Sequence, residues 1–146
     1  KILGFQVSSM PATGLLAKKS RKKYGPRADN RLKGMQALFR HLSSYLGPDI
    51  YFSSDECTYY APVVNRYFPQ ARYRQFKGEK SANTGQGELK KTRHDPLFTI
   101  NHTFAMLRYR INRLVRKTWC TTKKISALAD HVAIYSWVHN SMLLPT

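Results

Sequence analysis

Between positions 97 and 114 the residues Leu97, Ile100, Phe104, Leu107, Ile111 and Leu114 recur at steps of 3, 4, 3, 4 and 3. Only a 3.6-residue helix returns such a series to one face. The spacing therefore predicts a helix that turns this stripe toward a core. At about 100° per residue, Arg108 and Asn112 come back close to Asn101 on the border of the stripe, whereas Arg110, Arg113 and Lys117 point away from it. Periodicity alone supports two readings. One is an amphipathic helix with a solvated basic back; the other is a helix whose polar edge at Asn101 presents a ligand to a cleft.

Charge sharpens the choice of partner. The 146-residue chain carries 25 Lys and Arg against 8 Asp and Glu, a net charge of +17. That exceeds what solubility requires and favours a polyanion, nucleic acid first. A hydrophobic content of 42% with 12% aromatic residues is enough for one domain with a real core and argues against wholesale disorder. No apolar run approaches the roughly 18 to 20 residues of a membrane span, and nothing resembles a secretory signal; no membrane partner is expected, and the expected compartment is the cytoplasm. Cys57 and Cys120 lack CxxC spacing, so they read as reduced thiols rather than a disulfide or zinc framework. The chain opens KILGFQV, already inside a strand-like pattern and without an initiator Met, and reads as a piece of something longer.

Along the chain, residues 1–7 read as a strand and residues 8–26 as a loop running into the basic stretch KKSRKKYGPR at 18–27, where phosphate contact and simple solvation are both open. Asp29 or Asn30 can cap a helix carrying Leu32, Met35, Leu38, Phe39, Leu42 and Leu46, stopped by Gly47 and Pro48. Residues 50–54 predict a strand ending at Asp55, residues 61–67 a short helix and residues 71–76 another strand. Residues 77–94 form a long polar connection, after which Asp95 and Pro96 open the helix described above. A final helix over 125–140 carries Leu128, Val132, Tyr135 and Val138 on one side. Strands and helices in this order predict an α/β domain.

Among the few carboxylates Asp55 stands apart, because it directly follows the strand IYFSS, and ligands of α/β sheets bind outside the carboxyl ends of the strands. Its other reading is a residue that caps the next turn. The five histidines show no metal-ligand spacing, and His102 lies about 100° around the helix from Asn101, so the two do not serve one metal. Walker, GxGxxG and GxSxG patterns are absent, which leaves nucleotide-dependent and acyl-transfer chemistry unsupported.

These segments resemble the transposases of small bacterial insertion sequences of the insertion-element-one type. The resemblance rests on Ile100-Asn101, Leu107-Arg108, Arg113-Leu114-Val115-Arg116-Lys117-Thr118, Trp119 and Thr122-Lys123, and less specifically on Ser54-Asp55-Glu56-Cys57-Thr58-Tyr59-Tyr60. It implies a ribonuclease-H-like DDE catalytic domain lacking its first strand and first aspartate, which would precede Lys1. The core would occupy residues 1–116 and a helical extension residues 117–146.

The implied function is Mg²⁺- or Mn²⁺-dependent cleavage and strand transfer of insertion-sequence DNA, on a two-metal site that places ions roughly 3.5 to 4 Å apart. Asp55 would be the second metal carboxylate and Asn101 the third ligand, standing where the family has Glu. An amide oxygen suits the coordination sphere of Mg²⁺ but brings no charge. Arg108, Arg113, Arg116, Lys117, Trp119, Lys123 and Lys124 are the expected DNA-binding residues, with Trp119 either stacking on an unpaired base or filling a core. Double-stranded DNA at element ends and target, a homo-oligomer in the active complex and a place on the bacterial nucleoid complete the implied picture. The alternatives are a catalytically inactive, basic nucleic-acid-binding remnant and, explaining the charge but not the motifs, an RNA-structural protein.

Overall fold

The computed structural model describes residues 1–13, 16–77, 96–114 and 124–143. In chain order these form helices α1 (Ala17–Tyr24) and α2 (Arg31–Leu42), strand β1 (Tyr51–Asp55), helix α3 (Tyr60–Tyr67), strand β2 (Arg72–Phe76) and helix α4 (Phe98–Arg110). A single 3₁₀ turn (Asn112–Leu114), helix α5 (Ile125–Val138) and a π-helical turn (His139–Leu143) follow. The chain divides into two compact units, one of Leu46–Met106 and the other of Lys1–Tyr45 with Leu107–Thr146. The expected mixture of helix and parallel strand is present. No helix among the described residues is long and apolar enough to cross a membrane.

In the continuous unit, β1 and β2 pair in parallel, with Tyr51 opposite Arg72 and Asp55 opposite Phe76. Parallel strands need a crossover of a dozen or more residues, and residues 56–71, with α3 among them, supply it. The sequence forces this arrangement through α3: Val63 and Val64 are each 2% exposed and Phe68 is 4% exposed. The Phe68 ring packs on Phe52 of β1 at 5.0 Å between centroids. Each buried valine contributes roughly 1.5–3 kcal/mol. Pro69 then ends the helix, and the strand restarts with the Arg72 N–H donating to Ile50 O at 2.8 Å.

In the discontinuous unit the structure corrects the reading of residues 1–7. They join no sheet. Their backbone groups are taken by other partners: the Ile2 N–H donates to Asn140 Oδ1 at 2.7 Å, Asn140 Nδ2 donates back to Ile2 O at 2.8 Å, and Tyr45 Oη donates to Leu3 O at 2.8 Å. Further on, the Asn30 N–H donates to Ser9 O at 3.0 Å. The segment thus runs back along α2, and Gly34 permits it, since a Cβ there would stand 1.9 Å from Ser8 Oγ. An alternating apolar pattern predicts which side chains face inward; it does not supply a neighbouring strand.

The basic stretch beginning at Lys18 is likewise helical rather than loop. Lysine and arginine are good helix formers, and Arg21, Lys22 and Lys23 fall in the last turn of α1, where cations meet the negative end of the helix dipole. Gly25 closes it at φ 74°, a backbone conformation that glycine tolerates, and Pro26 follows.

Asn30 is the N-cap residue of α2 but gives no side-chain capping bond; Asp29 beside it supplies the side-chain acceptor. Asp29 Oδ1 accepts from the Arg31 N–H at 3.1 Å, and its carboxylate also pairs with the Arg31 guanidinium at 2.6 Å. Asn30 Nδ2 instead donates to Ser9 Oγ at 2.9 Å. The helix stops at Leu42, and a turn carries the chain to Leu46. In α5, Val132 and Tyr135 are buried as the periodicity predicts.

The stripe that was expected to enter a core does so only at its end. Within α4, Ile100 is 46% and Phe104 47% exposed, whereas Ile111, just past the last helical residue, is 6% exposed. Helical spacing identifies a shared face, but burial also needs a surface to lie on. Among the described residues the only sheet is the two-stranded β1–β2.

Candidate metal and phosphate-binding residues

Asp55 is the last residue of β1, so it stands at the carboxyl end of a parallel strand, as expected. Its surroundings follow from the residues beside it. The Cys57 N–H donates to Asp55 Oδ1 at 3.1 Å, which makes the Asp-initiated turn foreseen as its plainer role. Its main-chain oxygen accepts from Ser54 Oγ at 2.7 Å and from Gln75 Nε2 of β2 at 3.3 Å, and Ser54 Oγ shares a 2.7 Å hydrogen bond with Tyr73 Oη. The residue remains exposed. The backbone at Asp55 is therefore held from both strands while the side chain faces solvent.

Tyr60, at the start of α3, belongs to the same cluster. Burial, then the negative charge of Asp55, then Cys57 and Tyr73 push its hydroxyl above the usual 10.0. It is a neutral donor near a carboxylate throughout the physiological range. Sequence reasoning placed Tyr60 in a motif but assigned it no chemistry. Tyr73 carried no signal, because its contact with Ser54 arises from strand pairing across the crossover.

Asn101 lies in the first half of α4, exposed, with its N–H donating to Leu97 O at 2.9 Å. His102 turns away and stacks on Phe98 at 5.9 Å, in keeping with its expected separation from any ligand at Asn101. Among the described residues no group of three or more His, Cys, Asp or Glu is placed to hold a metal. The Asp55 carboxylate and the Asn101 amide each offer a hard oxygen. They suit Mg²⁺, which commonly takes one or two carboxylates and completes its octahedron with water and phosphate.

Of the expected DNA contacts, Arg108 is half-buried near the end of α4, and Arg113 and Lys124 are exposed. Arg116, Lys117, Trp119 and Lys123 lie outside the described residues. Lys124 is the N-cap of α5, whose first turn holds no acid; a cation at the positive end of a helix dipole raises the local potential and favours an anion.

Where α4 ends, Arg110, Ile111, Asn112 and Arg113 face His131 of α5 across a groove of about 350 Å³. Neither arginine has a carboxylate partner among the described residues. One turn beyond His131, Tyr135 is 5% exposed, and its Oη has no hydrogen-bond partner among the described residues. Burial raises the Tyr135 hydroxyl pKa, and the charge of Arg110 works against that rise. The guanidinium is thus within electrostatic reach of a buried, unpartnered hydroxyl.

Compared with protein-family models, curated proteins and solved structures, the chain matches none.

Proposed function

We propose that the chain is the greater part of a DDE-type transposase catalytic domain with a ribonuclease-H-like core, which cleaves and joins the DNA of an insertion sequence. The observation that carries this reading is Asp55: an exposed carboxylate at the end of a parallel strand, its main-chain oxygen hydrogen-bonded by Ser54 and by Gln75 of the neighbouring strand. Support also comes from Asn101 standing exposed on the helix that follows the second strand, and from a net charge of +17.

In this reading Asp55 and Asn101 hold Mg²⁺ or Mn²⁺, which supplies charge stabilisation for the attacking and leaving oxygens of an in-line displacement at phosphorus. The chain's own side chains do the rest. The Cys57 N–H holds one Asp55 carboxylate oxygen, which would orient the carboxylate for a metal. Tyr60 offers a proton-bearing hydroxyl beside it that stays neutral at working pH. Arg108, Arg113 and Lys124, together with the exposed cations of α1, neutralise phosphates of double-stranded DNA. Each neutralised phosphate steepens the fall of affinity with salt. Assembly as a homo-oligomer on the bacterial nucleoid belongs to the same proposal.

A second reading, an inactive DNA-binding remnant, is favoured by the amide at Asn101, which contributes no charge to a cation. One experiment separates them: Mg²⁺-dependent nicking of DNA that flanks the coding region, assayed with the full reading frame. The enzyme reading expects Asp55→Asn to lower nicking by about a hundredfold or more, since a metal site supplies several kcal/mol of charge stabilisation. Unchanged nicking in Asp55→Asn removes the metal assignment. No nicking by the parent protein, with DNA binding that still weakens steeply in salt, selects the remnant.

A further inference from the structure

We infer that the groove between the end of α4 and the middle of α5 is a phosphoryl-binding site, built by Arg110, Asn112, Arg113 and His131. It uses neither Asp55 nor Asn101, and it shares only Arg113 with the DNA contacts proposed above, so phosphate binding at Arg110 and His131 is tested apart from metal-dependent nicking.

The residue types carry the assignment. Arginine presents a planar fork of donors that matches the oxygens of phosphate, and hydrogen bonds between ionised partners are about twice as strong as neutral ones. Two such forks, an amide and an imidazole around one groove provide more donors than a carboxylate's two oxygens need. They suit a tetrahedral oxyanion. Among the described residues no carboxylate lines the groove, and the one acid of α5, Asp130, is not part of it. Ile111, the remaining lining residue, is 6% exposed and anchors the turn that presents Arg110 and Arg113 on either side of it.

One feature of the fold opposes an anion here: the groove lies at the C-terminal end of α4, where the helix dipole amounts to about half a negative charge. Two guanidiniums outweigh it several-fold in charge, and Arg108 also lies in the last turn of α4. A volume of about 350 Å³ falls in the range of small-ligand sites and admits more than a bare phosphate ion. The phosphoryl group can belong to a nucleic-acid strand or to a free phosphorylated small molecule; the chemistry is shared.

The test uses the whole chain, isotopically labelled, titrated with inorganic phosphate and separately with a short single-stranded oligonucleotide, and read by NMR at the Arg110 and Arg113 side chains and the His131 ring. Saturable shifts at these three groups with phosphate are expected. Arg110→Ala should weaken that binding about tenfold or more, and Arg110→Lys, which keeps the charge but loses the fork, by less. His131→Ala should weaken it as well, while Arg66→Ala, on α3, leaves it unchanged. If the oligonucleotide competes with phosphate for the same shifts, the ligand is a strand; if it does not, the ligand is a small phosphorylated molecule. Shifts that never saturate, or that spread equally over arginines elsewhere in the chain, overturn the inference.

Discussion

Gly34 offers the sharpest test of how the N-terminal segment is held. Replacing it with alanine sets two effects against each other. Alanine is favoured over glycine in a helix interior by about 1 kcal/mol, and α2 would gain that. The new Cβ, however, stands 1.9 Å from Ser8 Oγ, with Gln6 Cγ and Ser8 Cβ each at 3.2 Å. Forcing an extra methyl into such a contact costs about 1–3 kcal/mol, so Gly34→Ala is expected to destabilise by about 1 kcal/mol net. Ser8→Ala deletes the 1.9 Å neighbour and leaves the two 3.2 Å contacts. In that background the helix gain should prevail, and Gly34→Ala should be neutral or slightly stabilising. The four proteins form a double-mutant cycle, measured by urea unfolding followed by circular dichroism, with a coupling of about 1 kcal/mol or more expected. Amide exchange at Asn30, whose N–H donates to Ser9 O, reports the same effect locally. A cycle that closes within about 0.5 kcal/mol, or a stabilising Gly34→Ala in the parent, refutes the close approach of Ser8 to α2.

Asp29, hydrogen-bonded and paired with Arg31, has its pKa lowered from 3.8 to about 2. Because the folded value is depressed, its contribution to stability is fully present above the unfolded value of 3.8 and is lost as pH falls toward 2. A carboxyl-carbon NMR titration should find the low midpoint, and Arg31→Ala should return it toward 3.8. For Tyr60, whose hydroxyl is raised above 10.0 first by burial and then by Asp55, Asp55→Asn should lower the titration midpoint but leave it above 10.0, since burial persists. A midpoint unaffected by Asp55→Asn places the carboxylate away from that ring.

Much of the continuous unit is legible in the sequence. The predicted strands at 50–54 and 71–76 and helix at 61–67 fall within a residue of Tyr51–Asp55, Arg72–Phe76 and Tyr60–Tyr67, because breakers such as Pro69 punctuate short, strongly patterned segments. What escaped was non-local. KILGFQV has the alternation of a strand, but its hydrogen bonds go to Asn140 and Tyr45, which no local pattern announces. The rhythm from Leu97 to Leu114 anticipated α4 only as far as Arg110, where the helix gives way to a 3₁₀ turn, and it did not set burial, because periodicity contains no information about a covering surface. In the candidate sites, strand-end position made Asp55 readable, and helical position made Asn101 readable. Tyr73 and His131 were not, since each acquires its role from a residue distant in sequence: Ser54 for the one, Arg110 and Arg113 for the other.

The clamp between Ile2 and Asn140 joins residues 138 positions apart, and its consequence concerns time rather than shape. During synthesis the chain emerges from its N-terminus, and units fold as their sequence becomes available. Leu46–Met106 is contiguous and has every residue of its β1–α3–β2 core soon after Phe76 appears. The unit of Lys1–Tyr45 with Leu107–Thr146 has to wait: Ile2 meets Asn140 only after all the residues between them have been made. Until then α1 and α2 carry their lysines and arginines without the remainder of their own unit, so a segment made before Leu46–Met106 is secured only after it.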